Sequence, residues 1–247
     1  MPFADGSAAL NPTVRQRSTR DRPAKAPLSE GAVIDAALAI LKSEGLAAVT
    51  MRRVAAALDT GAASLYVYVS GREGLLQAML ATVTATVDLE PPDPARWRAQ
   101  LHSLLLRVHD ALVAHPGIAA ITLADPPTTE AVLLLTENLL GILLAAGLDS
   151  QDAAWACDIF ISLVTASARE DDVRRPRGAS DDADHRERVD EIYNTFAGLP
   201  ADRFPLLAAH AAQMVAGDSD ERFRFAIDVV IDGVVARAAG RLTLHPG

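Results

Sequence analysis

The chain has 247 residues and a formal net charge of -9, and half of its residues are apolar. This apolar fraction is enough for one or two packed domains and excludes a chain that is disordered throughout. The single cysteine, Cys157, excludes an intrachain disulfide and a Cys-rich zinc site.

The sequence contains no segment suited to a membrane. Its longest apolar run, over residues 139–148, has ten residues, whereas a transmembrane helix needs about 20. No basic segment followed by an apolar stretch stands at the amino terminus, so we predict no secretory signal. We therefore expect a cytoplasmic protein without a membrane partner.

Positive charge is concentrated in the amino-terminal third. Residues 1–80 carry nine basic and seven acidic side chains, a net charge of +2, whereas residues 81–247 carry 14 and 25, a net charge of -11. Only the first part is suited to binding a polyanion. Five cations between residues 15 and 25 predict a flexible basic arm over residues 1–27, with a disordered leader of no function as the alternative.

Helical periodicity begins after this arm. Apolar residues recur at helical spacing from Val33 to Leu41, so a first helix is predicted between Ser29 and Gly45. A second helix is predicted to begin at Thr50, whose hydroxyl can cap free backbone amides, and to run for about two turns.

Two further elements complete this first unit. A third, short helix is predicted over residues 62–68, after Gly61. Ser70 and Glu73 match the spacing of a capping box, which predicts the start of a fourth helix that runs toward Asp88.

A second, longer helical region follows the acidic, proline-rich segment 90–94. The predicted helices cover residues 95–114, 118–123, 128–146, 150–169 and 218–240. A mobile charged loop is predicted over residues 169–191, leading into a weak helix at 185–196. The whole pattern predicts an all-α protein with a small helical head and a larger helical domain.

The final helix is predicted to be apolar on two sides. One stripe consists of Phe223, Ile227, Val230, Ile231 and Val234, and the other of Phe225, Val229 and Ala236. A helix of this kind needs partners on both sides. We expect the domain's own core on one side and a second subunit on the other, which predicts a homodimer.

Two short helices joined by a tight, glycine-containing turn are typical of a helix-turn-helix. The residues predicted to bury against the first helix are Val54, Ala55, Leu58 and Leu65. The residues predicted to face outward are Arg52, Ser64, Tyr66, Val67 and Tyr68. In the alternative interpretation, the two tyrosines only cover a small core with their hydroxyls in water.

The stretch TMRRVAAALDTGAASLYVYVSGREGLLQAML resembles the DNA-binding region of tetracycline-repressor (TetR) family regulators, with the family's Leu-Tyr pair at Leu65-Tyr66 and its Thr-x-Arg start at Thr50-Met51-Arg52. A weaker resemblance, to the carboxy-terminal domain of tetracycline repressors, covers residues 95–240. The resemblance implies a helix-turn-helix DNA-binding domain at 28–75 and a ligand-binding and dimerisation domain at 76–247. It also implies a one-component repressor that binds a palindromic double-stranded operator as a homodimer and is released by a small molecule.

The resemblance also assigns DNA-binding residues. Thr50 and Tyr66 match phosphate-contacting positions, Arg52 matches a base-contacting position, and Arg72 matches a backbone contact at the start of the fourth helix. The recognition-helix positions hold Ala62, Ala63, Ser64, Val67 and Tyr68. Arginine can bond guanine in a bidentate manner, and hydroxyl groups can reach phosphates.

The family's pocket positions hold mostly apolar residues in this sequence. They are Leu104, Val108, Thr122, Asn138, Cys157 and Ile161. Leu104 and Thr122 stand where the tetracycline repressor has an amide and a metal-ligating imidazole. We therefore expect an apolar or amphipathic effector and no magnesium, other metal or cofactor; a fully filled core is the alternative.

Two other classes of function have less support. None of the glycine-rich, nucleophile-elbow or metalloprotease motifs occurs in the sequence, so we expect no enzyme. A helical protein-interaction module without sequence-specific DNA binding is the alternative, and the basic arm together with the helix-turn-helix weighs against it.

Overall fold

The computed structural model describes residues 27–122, 129–174 and 182–239. Within these ranges the protein is all-α and contains no strand, as predicted. The helices are α1 (Glu30–Glu44), α2 (Met51–Ala57), α3 (Ala62–Leu65), α4 (Gly71–Thr84), α5 (Trp97–Val113), α6 (Glu130–Ala145), α7 (Ser150–Arg174), α8 (Asp182–Ala197), α9 (Pro205–Ala209), α10 (Ala211–Val215) and α11 (Ser219–Ala238). The predicted arm, except for its last residue, lies outside the described residues.

The first two helices begin where the sequence predicts. The Ser29 hydroxyl accepts a hydrogen bond from the Ala32 amide, and α1 ends at Gly45, whose φ of 92° favours glycine. The Thr50 hydroxyl accepts a hydrogen bond from the Arg53 amide at 3.2 Å and caps α2. These caps satisfy amides that would otherwise lack a partner, and thereby fix the two helix starts.

The third helix is shorter than predicted. It ends at Leu65, whereas the periodicity predicted a helix over residues 62–68. The Tyr68 amide bonds to the Leu65 carbonyl three residues back, so the chain tightens into a turn. The β-branched Val67 and Val69 have a low helix propensity, which favours this early end.

The capping box predicted from Ser70 and Glu73 is wrong. The Ser70 side chain makes no capping hydrogen bond, and its ψ of 49° differs from the extended values at a capped start. Its hydroxyl lies instead beside Gly74, where a Cβ on that glycine would be only 2.3 Å from the oxygen. The helix starts at Gly71, whose φ of 90° is of the kind that glycine adopts without strain.

Helix α4 connects the head, which consists of α1 to α3, to the rest of the chain. It packs against α1 on one side and against α5 and α6 on the other. The boundary predicted between residues 75 and 76 falls inside this helix. One continuous helix therefore joins the head to the larger helical region.

The larger helical region is built around α5, α6, α7 and α11. Phe160 of α7 and Ile227 of α11 are fully buried in its core. Arg237 of α11 donates hydrogen bonds to both carboxylate oxygens of Asp152 on α7, at 2.7 Å for the Nε contact. These contacts fix the two long helices against each other.

Helix α7 continues where a mobile loop was predicted. It extends to Arg174 and thus includes the first residues of the 169–191 segment. Ala168 is buried, as is Asp171 despite its charge. The Asp172 carboxylate accepts a hydrogen bond from the Gly117 amide at 2.8 Å. These tertiary contacts stabilise a helix in a segment whose many charged residues had predicted a loop. Residues 175–181 of that segment lie outside the described residues.

Helices α8, α9 and α10 pack against one another. Helix α8 covers Asp182–Ala197 and is slightly longer than the helix predicted over residues 185–196. Helices α9 and α10 were not predicted, because each has only five residues and shows too little periodicity.

The last helix has the two apolar faces that were predicted. A capping box between Asp218 and Glu221 fixes its start. Phe223, Ile227, Ile231 and Val234 are buried in the core, whereas Phe225 and Val229 on the other face are exposed. Among the described helices, none combines the length and the apolar character that a membrane crossing requires.

Candidate DNA-binding surface and ligand cavity

The outer face of the helix-turn-helix consists of side chains from α2, α3 and the turn after α3. Val54, Ala55 and Leu65 are buried, so the opposite side of these helices faces outward. Arg52, Ala63, Ser64, Tyr66 and Val67 are exposed. The exposed fraction of Tyr66 is 60% and that of Val67 is 81%. Both side chains therefore project into solvent, although burial of their apolar atoms would be favourable.

Thr50 and Arg52 lie at the start of α2. Thr50 is exposed although its oxygen caps the helix. Arg52 makes no hydrogen bond or ion pair with any residue in the described ranges, whereas the neighbouring Arg53 bonds to the Glu44 carboxylate. That bond holds the pKa of the Glu44 carboxyl below its usual value. The Arg52 guanidinium is therefore available to a partner, and that of Arg53 is already bound.

Tyr68 differs from the prediction that it faces outward. It is half-buried against the core, and its hydroxyl donates a hydrogen bond to the Leu28 carbonyl at 2.7 Å. This contact ties the turn after α3 to the segment before α1. The structure therefore gives Tyr68 a stabilising contact within the head.

Arg72 also has partners within the head. Its Nε donates a hydrogen bond to the Val49 carbonyl at 2.8 Å, and Nη2 donates one to the Leu46 carbonyl at 3.1 Å. Leu46 and Val49 lie in the turn before α2, so Arg72 connects the start of α4 to that turn. Ala62, another predicted DNA-binding residue, is partly buried.

A cavity of about 290 Å³ lies within the larger helical region. Its lining is mostly apolar and comes from α4, α5, α6, α7 and the turn at Thr122. Five of the predicted ligand-binding residues, Leu104, Val108, Thr122, Cys157 and Ile161, line it. The alternative of a fully filled core is therefore wrong.

Asn138 is the predicted ligand-binding residue that does not line the cavity. Its amide nitrogen donates a hydrogen bond to the Glu90 carbonyl at 2.8 Å, on the segment between α4 and α5. Next to it, a Cβ on Gly141 would lie 2.8 Å from Pro92. Asn138 thus holds the proline-rich segment against α6.

Three residues of α4 line the cavity and were not found by sequence reasoning. Gln77, Leu80 and Thr84 recur at helical spacing and share one face of the helix. That spacing was the available signal, but it also fits an ordinary core face. Their position makes α4 a wall of the cavity as well as the link to the head.

The polar groups of the cavity differ in how far they are already paired. Thr122 donates a hydrogen bond to the Ala119 carbonyl at 2.8 Å and lies 3.3 Å from the Thr165 hydroxyl. Burial, together with the nearby Asp158 carboxylate, raises the pKa of the Cys157 thiol to about 11. Cys157 is therefore a neutral, weakly polar part of the wall.

The two short helices, their exposed face and the helical domain behind them define a helix-turn-helix protein. Residues 33–79 match the family model for bacterial regulatory proteins of the tetR family, and residues 90–238 match that for the tetracyclin repressor-like C-terminal domain. The second match alone covers more than half of the chain. The chain belongs to the TetR family of transcriptional regulators.

Similar proteins include regulators from Streptomyces species. The chain is 28% identical over 232 residues to the HTH-type transcriptional repressor DrrR1 of Streptomyces coeruleorubidus, covering 90% of this chain and 84% of that protein. It is 32% identical to apo ActR from Streptomyces coelicolor, with a TM-score of 0.78. That match covers 88% of this chain and 99% of the ActR chain. The structure of ActR in complex with actinorhodin matches with a TM-score of 0.77, at 32% identity and coverage of 86% and 97%.

Proposed function

We propose that this regulator is a homodimeric repressor that binds a palindromic operator and is released when an apolar or amphipathic molecule occupies the cavity. The observation that carries the proposal is the dual position of α4. One part of this helix packs on α1 of the head, and Gln77, Leu80 and Thr84 line the cavity. A molecule in the cavity therefore contacts the helix that sets the position of the head.

Operator binding is assigned to the exposed face of the head. Arg52 offers a cationic fork suited to guanine, and Ser64 and Tyr66 offer hydroxyls suited to phosphate. Residues 1–80, which include the five cations between residues 15 and 25, carry a net charge of +2, and this favours a polyanion. Binding is expected to weaken steeply with salt, because cations on the protein displace counterions from phosphates.

Dimerisation is assigned to the exposed faces of α7 and α11. Trp155 and Ile159 of α7 and Phe225 and Val229 of α11 are exposed apolar side chains. Exposed apolar side chains on two helices that pack against each other are suited to an interaction site. A two-fold symmetric pair of heads would bind two half-sites related by the same symmetry.

The effector is assigned to the cavity. ActR has been solved in complex with actinorhodin, and the similarity supports a small-molecule site in this chain. Leu104 and Thr122 cannot supply metal ligands of the tetracycline type, so release is expected to be independent of magnesium. We expect no catalytic activity, and residues 28–75 and 76–247 are the proposed DNA-binding and ligand-binding domains.

Selection of DNA from a random-sequence pool by the purified full chain tests the proposal. We expect enrichment of one sequence with two-fold symmetry. Failure to enrich any sequence, at a salt concentration where the protein still retains bulk DNA, would favour the alternative of a helical protein-interaction module. Sequence-independent DNA binding is electrostatic and has no such preference.

A further inference from the structure

The described lining of the cavity contains a negatively charged side chain and no positively charged one. Asp158 is the only charged residue among the described residues that line it, and no lysine, arginine or histidine lines it. Asp158 is exposed in the single chain, so it lies at the edge of the cavity. An anionic ligand would find a carboxylate there and no described cation to neutralise it.

The cavity also contains a hydroxyl that a ligand can reach, that of Thr84. The Thr84 side chain has an exposed fraction of 9%, and its hydroxyl makes no hydrogen bond within the described residues. The Thr136 hydroxyl on the facing helix α6, by contrast, donates to the Val132 carbonyl at 2.9 Å. A ligand that bonds to the Thr84 hydroxyl is therefore favoured over one that leaves this group without a partner.

Gln77 lies about two turns from Thr84 on the same face of α4. Its side-chain amide makes no hydrogen bond with any described residue and offers both donors and an acceptor. Either Thr84 or Gln77 can therefore bind the polar end of a ligand, while the apolar wall formed by residues such as Leu104 and Phe160 covers the rest.

We propose that the cavity selects amphipathic molecules whose polar end forms hydrogen bonds and is neutral or cationic, and that it discriminates against acids. This rests on the proposed function as a ligand-responsive regulator and specifies the chemistry of its effector. Charges interact more strongly beside an apolar wall than in water, so one carboxylate without a counterion is enough to disfavour a second.

Three fluorescent probes with one aromatic body test the proposal: 9-anthracenemethylamine, 9-anthracenemethanol and 9-anthracenecarboxylate. Their binding to the full-length protein at pH 7 is followed by fluorescence titration without DNA. We expect the protonated amine and the alcohol to bind at least tenfold more tightly than the carboxylate. Asp158→Asn is expected to reduce the ratio between amine and carboxylate several-fold and to leave the alcohol unchanged.

Two threonine variants test the hydrogen bond. Thr84→Val retains the shape of the side chain and is expected to weaken binding of the alcohol about two- to tenfold, the effect of one hydrogen bond. Thr82→Val is the matched control, since Thr82 lies on the same helix, is exposed outside the cavity and donates its hydroxyl to the Ala78 carbonyl. It is expected to leave the alcohol affinity unchanged.

The outcomes separate this proposal from the function on which it rests. Equal binding of all three probes, or tightest binding of the carboxylate, would overturn the charge selection and leave an operator-binding, ligand-responsive protein intact. Equal effects of Thr84→Val and Thr82→Val would overturn the role of Thr84. Binding of none of the probes would overturn the selectivity proposal as well as the cavity's role as an effector site, while DNA selection would still test the head independently.

Discussion

Tyr66 and Tyr68 lie two residues apart in the turn after α3 and have different surroundings. The Tyr66 ring is 60% exposed on the outer face of the head. The Tyr68 hydroxyl bonds to the Leu28 carbonyl, forty positions earlier in the sequence. One tyrosine is available to DNA, and the other stabilises the head.

Replacing each tyrosine with phenylalanine separates these roles. Tyr68→Phe is expected to lower the free energy of unfolding by about 0.5–1.5 kcal/mol, because the Leu28 carbonyl loses its donor. Tyr66→Phe removes only an exposed hydroxyl and is expected to change it by less than about 0.5 kcal/mol. Urea denaturation followed by circular dichroism measures both. Equal losses in the two variants would contradict the assignment.

For single residues, the sequence predicted those roles that depend only on neighbouring residues in the chain. The helix cap at Thr50 follows from its own side chain and the next few amides, and it is confirmed. Asn138 is different, because its amide bonds to a carbonyl 48 positions away. No local pattern shows whether such a polar side chain faces a cavity or a distant segment of backbone.

At the scale of elements, Thr50 combines two properties at the start of α2. Its hydroxyl caps the helix, and its exposed position also matches a phosphate contact. Removing the side chain would affect both, so a single alanine variant cannot separate helix stability from DNA binding.

Thr50→Asp separates helix stability from DNA binding. Aspartate is a good helix cap, and its charge is favoured at a helix amino terminus, so the stability of the head is expected to be unchanged or higher. The same charge would repel a phosphate and is expected to weaken operator binding. Thr50→Ala should lose about 1 kcal/mol of stability in addition to affinity. Wild-type operator affinity for Thr50→Asp would show that phosphate does not approach this position.

The elements that sequence reasoning misplaced are those fixed by tertiary contacts. Helix α7 continues into a densely charged segment because Asp171 is buried and Asp172 bonds to the Gly117 amide. Helix α3 ends early in a turn that Tyr68 ties to Leu28. In both cases the deciding partner is far away in the sequence.

At the scale of the whole molecule, the proposed interface must lie on faces that the single chain leaves exposed. Val234 of α11 is buried and Val230 is partly buried, so neither is the best probe of a second subunit. Phe225 is 71% exposed on the opposite face and is therefore the most direct probe of a second subunit.

Phe225→Arg is expected to produce monomers, because it introduces a charge into an apolar contact without a counterion. Val67→Arg is the control, since it adds the same charge at a highly exposed apolar position on the head, away from α7 and α11. Sedimentation velocity measures both variants at the same concentration. A Phe225→Arg variant that sediments like a wild-type dimer would rule out this face as the interface.

The exposed face of the head is expected to bind a specific operator. Fluorescence anisotropy of a labelled duplex, taken from the DNA selection, tests this with the wild-type chain and with the double variant Arg52→Ala, Tyr66→Phe. Loss of one base-contacting arginine alone costs about 1–3 kcal/mol, so the double variant is expected to bind at least about tenfold more weakly. Wild-type affinity in a folded double variant would contradict the claim.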